Sequence, residues 1–284
     1  MRRIVCATDF STRSLRALRR AGRLAGQFGA ELTLVHVVDD DQPHAMIDRE
    51  LREAEAFLNE QIGALAELHG VRCRATSATG EGFDGILRTA QDVSADLIVL
   101  GSHRKQVLRD VFIGTTAERV IRTGPFPVLM VNKPADAPYR DIVAAMDLSE
   151  QSARALKAAL ALQLLEGARV RVLHAFMTPA KGKLYISSAS EQQIDDYVAD
   201  ERARAGKDLS AFLAEHRLKG DWSFELEEGG PFEAIERCVQ KTAPDLLILG
   251  TRGRSRLVTM LIGSVAEAVL GRLDVDILAV PSAA

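Results

Sequence analysis

Short apolar runs alternate with longer amphipathic stretches along the whole chain of 284 residues. The apolar runs are continuous, which is typical of parallel strands that are covered on both faces. They predict strands near 3–8, 31–37, 71–77, 96–100 and 127–131, and again near 140–146, 168–175, 222–227, 245–249 and 276–280. The stretches between them predict helices near 12–28, 46–69, 83–93 and 115–122, and near 150–166, 191–216, 232–242 and 264–271. This alternation predicts an α/β fold.

The second half of the chain repeats the first, which indicates two domains of one fold. RIVCATDFST at 3–12 matches RDIVAAMDLSE at 140–150, and similar matches continue to the last strand. We therefore expect an N-terminal domain at residues 1–133 and a C-terminal domain at 139–284, joined near NKPADAP. Each is expected to be an open five-stranded parallel sheet with helices on both faces. A strand order of 3-2-1-4-5 would bring the ends of its first and fourth strands together.

The spacing of the repeat changes within the second half. Asp147 follows Asp9 by 138 residues, whereas Gly250 follows Gly101 by 149. The second half therefore carries an insertion of 11 residues, which we place near KGKLYISSAS at 181–190. A surface loop is the simplest interpretation of this segment, and a flap over a neighbouring ligand site is the alternative.

Composition narrows the class of protein. A formal net charge of −3 is not the footprint of a nucleic-acid-binding protein. The three cysteines are far apart in the sequence, which favours neither a disulfide framework nor a metal site. No apolar run approaches the roughly 18 residues of a membrane span, so no membrane partner is expected and we predict a cytoplasmic protein. The first helix contains Arg13, Arg16, Arg19 and Arg20, which are expected to form a solvated face.

A glycine-rich segment after the fourth strand of the second half is the strongest candidate for chemistry. Gly250, Gly253 and Gly263 lie between this strand and a helix, and Ser264 with Glu267 three residues later predicts a capping box. Glycines let the backbone approach a phosphate closely, and the N–H groups at a helix start attract an anion. We therefore predict a nucleotide phosphate site. The alternative is that these residues only turn the chain and cap the helix.

Asp147 ends the first strand of the second half, and the strand order given above would place it beside Gly250. A carboxylate there can accept hydrogen bonds from a base amine or a ribose hydroxyl. The alternative is that Asp147 and Ser149 only cap the helix that follows. His36 and His174 end the second strands near the same edge, and we interpret them as packing or hydrogen-bonding residues rather than catalysts.

The chain resembles a tandem universal stress protein over nearly all of its length. Its second half has that family's nucleotide-binding spacing: Gly250, two residues, Gly253, nine residues, then Gly263 and Ser264. The resemblance implies a mostly non-catalytic stress-response protein that binds ATP, with Mg²⁺ as an optional companion, and acts on an unidentified protein partner. On that pattern the base and ribose are flanked by Met146, Asp147 and Ala175, the phosphates are surrounded by Gly250, Arg252, Gly253, Gly263, Ser264 and Val265, and Ala145 and Leu249 complete the site.

The matching site in the first half departs from the pattern. Its weaker counterparts are Asp9, Gly101, Gly114 and Thr115, but Arg104 stands where Gly253 stands. A side chain at this position is expected to obstruct close backbone approach or a positive φ, so we predict weak or no ATP binding in this half. The alternative is that the Arg104 guanidinium itself holds a smaller anion.

The two closing strands, PVLMV at 127–131 and DILAV at 276–280, are apolar enough to pair if their edges are exposed. The family resemblance implies that they meet antiparallel, so that one chain imitates a dimer of single-domain proteins. Whether two chains also form a homodimer stays open.

Three functions remain open at this point. The first is an ATP-binding sensor whose occupied state is read by a partner. The second is a slow ATPase or autophosphorylating protein with Ser264 or a loop serine as the acceptor, and the third is a nucleotide-independent scaffold. No Walker-type GxxxxGK[ST] motif is present, and GEGFDG at 80–85 is not repeated in the second half, which argues against a dinucleotide fingerprint. We expect the sensor.

Overall fold

The computed structural model describes residues 1–102, 115–187, 189–253 and 262–281. In the N-terminal half the elements are β1 Arg3–Ala7, α1 Thr12–Phe28, β2 Glu31–Val38, α2 His44–Ala64, β3 Arg72–Thr79, α3 Gly82–Asp92, β4 Leu97–Gly101, α4 Thr116–Thr123 and β5 Val128–Val131. In the C-terminal half they are β6 Asp141–Ala145, α5 Glu150–Ala161, β7 Arg169–Phe176, α6 Lys181–Ile186, α7 Glu191–Glu215, β8 Trp222–Glu228, α8 Pro231–Thr242, β9 Leu246–Gly250, α9 Ser264–Arg272 and β10 Asp276–Val280. The predicted strands are confirmed to within two residues at each end.

The ten strands form one sheet in the order β3-β2-β1-β4-β5-β10-β9-β6-β7-β8. The order 3-2-1-4-5 is therefore confirmed in the N-terminal half and recurs in the C-terminal half. All neighbours are parallel except β5 and β10, which pair antiparallel with Leu129 opposite Leu278. The expected pairing of the closing strands is thus confirmed, and it joins the two sheets into one. Because the halves run in opposite directions, their carboxyl strand ends lie at opposite edges of the sheet.

Apolar side chains are buried on both faces of this sheet, which explains the continuous apolar runs. On β1, Ile4 and Cys6 belong to one buried cluster, and Val5 and Ala7 belong to the other. The first cluster contains the apolar faces of α1 and α5, and the second contains those of α3, α4, α8 and α9. Both clusters continue across β5 and β10, so the halves share one core on each face.

Three expectations about helices need correction. The stretch predicted as one helix at 46–69 ends at Ala64 and is followed by a 3₁₀ turn at Ala66–Leu68. The helix predicted at 150–166 ends at Ala161, and Gln163 just beyond it adopts a φ of 60°. The insertion near 181–190 contains the short helix α6, although its Ser188 lies outside the described residues.

Within the described ranges, no helix combines the length and apolar character needed to cross a membrane.

Candidate functional site

A cavity of about 370 Å³, here called the C-terminal cavity, lies at the carboxyl ends of β6, β7 and β9. It brings together all eleven residues that the sequence selected in this half: Ala145, Met146, Asp147, Ala175, Leu249, Gly250, Arg252, Gly253, Gly263, Ser264 and Val265. The lining also includes His174, which the sequence placed near this edge, and residues that sequence reasoning missed, namely Ser152, Leu173, Pro231, Ala234, Ile235, Thr251 and Ala266. The residues from α8 could not be selected because no motif marks them; the strand order alone brings α8 to this edge.

The turn after β6 fixes the position of the Asp147 carboxylate. Leu148 adopts a left-handed φ of 58°, which turns the chain sharply between β6 and α5. Ser149 donates its backbone N–H, at 3.1 Å, and its hydroxyl to Asp147 Oδ1. The other oxygen, Oδ2, accepts no hydrogen bond from the described residues and faces Gly253, where a Cβ would lie 3.0 Å away. One carboxylate oxygen is therefore anchored, and the other is available inside the cavity.

Ser149 also caps α5, as the alternative interpretation of the sequence expected. Its hydroxyl accepts the Ser152 N–H, and the Ser152 hydroxyl in turn accepts the Ser149 N–H. The helix cap and the carboxylate turn therefore share one serine. The capping role is confirmed, and the role of Asp147 toward a ligand stays a prediction.

The three glycines of the loop contribute differently, and a Cβ would crowd a neighbour at Gly250 and Gly253 more than at Gly263. At Gly250 a Cβ would lie 3.0 Å from the backbone carbon and oxygen of Gln151, so this glycine lets the first turn of α5 pack over the end of β9. Gly263 donates its N–H to the Thr251 carbonyl at 2.8 Å. Gly253 does not adopt a positive φ, which corrects that part of the expectation. Its missing Cβ instead leaves room beside the carboxylate of Asp147.

The predicted capping box of Ser264 and Glu267 is wrong. The N-cap of α9 is Gly263, and no side chain caps this helix. In the N-terminal half, the matching Thr115 is the N-cap of α4 and accepts the Glu118 N–H at 3.1 Å. The second helix starts one residue earlier in the repeat, so Ser264 is already its first helical residue. Its exposed hydroxyl accordingly makes no hydrogen bond with the described residues.

Histidines at the ends of β2 and β7 tie neighbouring strands together. His174 Nδ1 lies 2.7 Å from the Met146 carbonyl oxygen, and His36 Nδ1 lies 2.8 Å from that of Thr8. Because a carbonyl can only accept, Nδ1 of each ring is the protonated nitrogen. The hydrogen-bonding interpretation of both histidines is confirmed, and each ring holds the turn that follows the first strand of its half.

A second cavity of about 340 Å³, the N-terminal cavity, occupies the repeated position. Asp9, Gly101 and Thr115 line it, as the sequence expected. The fourth counterpart, Gly114, lies outside the described residues, and so do His103 and Arg104. Gly101 has the same packing reason as its partner in the repeat, because a Cβ there would lie 2.8 Å from the Arg13 backbone carbon.

The main difference between the N-terminal cavity and the C-terminal cavity is in the charges that line them. Arg13 lines it where the repeat has Gln151, and its Nη2 lies 4.0 Å from Asp9 Oδ2. Burial alone would raise the pKa of Asp9, but hydrogen bonds from Ser11 and Ser14 and the charge of Arg13 lower it overall. Sequence reasoning missed this role of Arg13 and placed it on a solvated face.

The walls of the N-terminal cavity also differ from those of the C-terminal cavity. Thr8 replaces Met146, and Val37 replaces Ala175. A Cβ at Gly85 would lie 2.7 Å from a methyl carbon of Val37, and the repeat has Ala234 in place of Gly85, so the glycine makes room for the larger valine. The replacement of Met146 by Thr8 therefore makes this wall of the N-terminal cavity more polar.

The insertion is anchored away from both cavities. Lys181 Nζ lies 2.9 Å from both carboxylate oxygens of Glu228, and the Ala180 N–H donates to the Tyr197 hydroxyl at 3.1 Å. None of the described residues of 181–190 lines the C-terminal cavity. The flap remains a prediction without a supporting contact.

Cys6, Cys73 and Cys238 are all free thiols. Burial raises the pKa of Cys6 to about 12, which makes it a poor nucleophile. Among the described residues, no group of three or more histidine, cysteine or acidic side chains is arranged to hold a metal ion.

Comparison with known proteins places these features in context. The model of the universal stress protein family matches the chain twice, over residues 1–132 and 138–281. A universal stress protein from Methanocaldococcus jannaschii is 33% identical over 141 residues, which are 47% of this chain and 83% of that protein. A stress response protein from Bacillus subtilis is 27% identical over 159 residues, 49% of this chain and 96% of its own. A solved universal stress protein from Archaeoglobus fulgidus covers 98% of each chain with 20% identity and a TM-score of 0.71, which shows a shared fold.

Proposed function

This chain belongs to the universal stress protein family, and we propose that its C-terminal half binds ATP in the C-terminal cavity and that a protein partner reads the occupied state. The observation that carries the proposal is the convergence of the eleven selected residues on one cavity. These residues come from four separate segments of the chain, and the fold brings them to one edge of the sheet.

The two ends of the cavity offer different contacts, which match the different parts of a nucleotide. Met146 and Ala175 offer apolar contact to a base, and Asp147 Oδ2 offers an acceptor to a ribose hydroxyl. At the other end, the first N–H groups of α9 and the hydroxyl of Ser264 offer donors to phosphate oxygens. Arg252 adds a positive charge at that end.

The cavity is also large enough for the ligand, and the glycine at 253 leaves space beside Asp147. Its volume lies within the range of about 300–1,000 Å³ that is usual for small-molecule sites. The absence of a Cβ at Gly253 keeps the approach to Asp147 open. Mg²⁺, if it accompanies ATP, would be held chiefly by the phosphates, with the Asp147 carboxylate as the nearest acidic group of the cavity.

We propose a sensor rather than an enzyme because, among the described residues, neither serine hydroxyl that lines the cavity is hydrogen-bonded to a histidine that could act as its base. His174 lines the cavity and donates its Nδ1–H to the Met146 carbonyl, which fixes the orientation of its ring. The partner, in this proposal, recognises the bound phosphates together with the start of α9. For the N-terminal half we propose weak or no ATP binding, because Arg13 already engages Asp9 and Arg104 stands where the repeat has Gly253.

Calorimetric titration of the full, nucleotide-stripped chain with ATP and Mg²⁺ tests this proposal. We expect about one site per chain, and Asp147→Asn should weaken binding by about tenfold or more, because a charge-assisted hydrogen bond contributes about 1.5–3 kcal/mol. Asp9→Asn is the matched control in the other half and should leave the affinity unchanged. Gly253→Arg, which copies the residue at 104, should also abolish the site.

Three results would contradict the proposal. If Asp9→Asn abolishes ATP binding and Asp147→Asn leaves it intact, the ATP site lies in the N-terminal half and the proposal is wrong. No heat of binding with ATP, ADP or AMP would favour the scaffold. Phosphate release or a covalent phosphate on Ser264, detected by mass, would favour the slow ATPase or the autophosphorylating protein.

A further inference from the structure

A buried ion pair joins the two halves of the chain. Arg20 Nε on α1 lies 3.3 Å from Asp276 Oδ2 at the start of β10. Their side chains are only 5% and 0% exposed. Charges at this depth are costly unless they are paired and hydrogen-bonded, so the surroundings of both groups decide whether the arrangement is stable.

Every partner of the Asp276 carboxylate precedes β6 in the chain. The backbone N–H groups of Asn132 and Lys133 both donate to Oδ1 at 2.8 Å, and the Tyr139 hydroxyl donates to Oδ2 at 2.7 Å. Burial and the charge of Asp276 raise the pKa of Tyr139 well above its usual value, so its hydroxyl keeps the proton that it donates. Together with Arg20, these groups form what we call the junction network.

Arg20 is also held by residues that precede β6 in the chain. Its guanidinium donates to the Ala137 carbonyl at 2.7 Å and to the Pro134 carbonyl at 3.3 Å, and it stacks over the Tyr139 ring at 4.3 Å. The segment that connects the halves therefore wraps the ion pair and supplies most of its hydrogen bonds. The expectation of a solvated arginine at position 20 is wrong for this reason.

The apolar edge on its own does not distinguish self-pairing from pairing of the two halves. Leu129 lies opposite Leu278, and Leu278 is also the residue that repeats Leu129 at the offset of 149. The β5–β10 pair is therefore centred on an approximate two-fold axis. Because both strands are fully buried and apolar at their centres, β5 of one chain would find similar contacts on β5 of a second copy.

The junction network, in contrast, has no counterpart on the other side of that axis. The repeat has Ala158 in place of Arg20 and Pro127 in place of Asp276. It also has Pro281 in place of Asn132, and proline carries no N–H. If β10 paired with β10 of another copy, Asp276 would meet neither the guanidinium nor this N–H. If β5 paired with another β5, Arg20 would meet no carboxylate.

We propose that the junction network is a recognition device that makes β5 pair with β10 of the same chain and excludes self-pairing with a second copy. Each wrong pairing leaves a buried charge without its partner, whereas the right one brings the two charges together, with Arg20 Nε facing Asp276 as an ion pair and not as a hydrogen bond. The apolar strands provide the attraction, and the charges select the partner. The consequence is that each ten-stranded sheet carries one cavity of each kind, at its opposite edges.

Single cysteines at the centre of the edge report which strands have paired. Directly opposed residues of an antiparallel pair have Cα atoms about 4.5–5.5 Å apart, which lies within the range of about 4.4–6.8 Å that a disulfide spans. Leu129→Cys is placed in the full chain with Cys73→Ser, which removes the one native thiol that is partly exposed. The protein is unfolded in urea, refolded at high concentration and then oxidised. A covalent dimer forms only if β5 has met β5 of a second chain.

With the native network we expect almost no covalent dimer, and Leu129→Cys combined with Leu278→Cys should instead close a link within one chain. In the background Arg20→Met with Asp276→Leu, which removes both charges and keeps apolar volume, the dimer through position 129 should increase by at least about tenfold. Leu278→Cys alone should behave in the same way and report the pairing of β10 with β10.

Two outcomes would overturn the proposal. One is an abundant dimer through position 129 with the native network intact. The other is an apolar background that still closes the link within one chain, which shows that it is folded, yet forms no more dimer than the native chain. If that background does not fold, Asp276→Asn keeps the shape and an acceptor oxygen while it removes the charge. It should raise the dimer fraction in the same direction, and an unchanged fraction would count against the proposal.

Discussion

Thr115 and Ser264 are repeat counterparts that the structure assigns to different roles, so alanine at each should affect different properties. Thr115 caps α4 by accepting the Glu118 N–H at 3.1 Å, and loss of such a cap costs about 1 kcal/mol of stability. Ser264 caps nothing, so Ser264→Ala should change the free energy of unfolding by less than about 0.5 kcal/mol. If Ser264 donates to a phosphate, its loss should weaken ATP binding by about tenfold, because a hydrogen bond to a charged group contributes about 1.5–3 kcal/mol.

The assay for this pair combines urea unfolding with calorimetric titration on the same preparations. We expect Thr115→Ala to lower the unfolding midpoint and leave ATP affinity unchanged. We expect Ser264→Ala to leave the unfolding midpoint nearly unchanged and to weaken ATP binding. A loss of stability of about 1 kcal/mol in Ser264→Ala would mean that the serine caps its helix after all. An unchanged ATP affinity in that variant would remove Ser264 from the proposed phosphate site.

Three further predictions concern stability and reactivity. Burial raises the pKa of Asp276 above 3.8 despite its hydrogen bonds and its arginine. The protonated carboxyl is therefore favoured by folding, and the stability that it contributes is complete below about pH 4 and is lost as pH rises through the native pKa. Urea unfolding across this range should show that decline in the free energy of unfolding, and Asp276→Asn should flatten it. A thiol reagent at pH 8 should label Cys73 before Cys6, whose pKa is raised to about 12; prior loss of Cys6, followed by peptide mass, would contradict this. Gly250→Ala should cost about 1–3 kcal/mol, since its Cβ would press on the backbone of Gln151; a wild-type unfolding midpoint would refute the packing argument.

Much of the fold and the composition of the C-terminal cavity could be predicted from the sequence. The strands were found because burial on both faces leaves a continuous apolar run, which is a local signal. Glycine spacing and an aspartate after the first strand are also local signals, and they point to the glycines, Ser264 and Asp147; the remaining cavity residues are those that the family resemblance implies. The capping box at Ser264 failed because a shift of one residue in a helix start depends on small energies that tertiary packing decides.

What the sequence by itself determined is therefore the elements, the repeat and the set of residues near the C-terminal cavity. Only the tertiary structure decided which charges are buried. Arg20 follows an arginine and looks like part of a solvated face, and nothing near Asp276 in the sequence shows which group would pair with its charge. Their pairing depends on β5 meeting β10, which brings together residues 256 positions apart. A contact at that separation leaves no periodicity or motif in the chain, because its energy depends on the desolvation that only the assembled sheet produces.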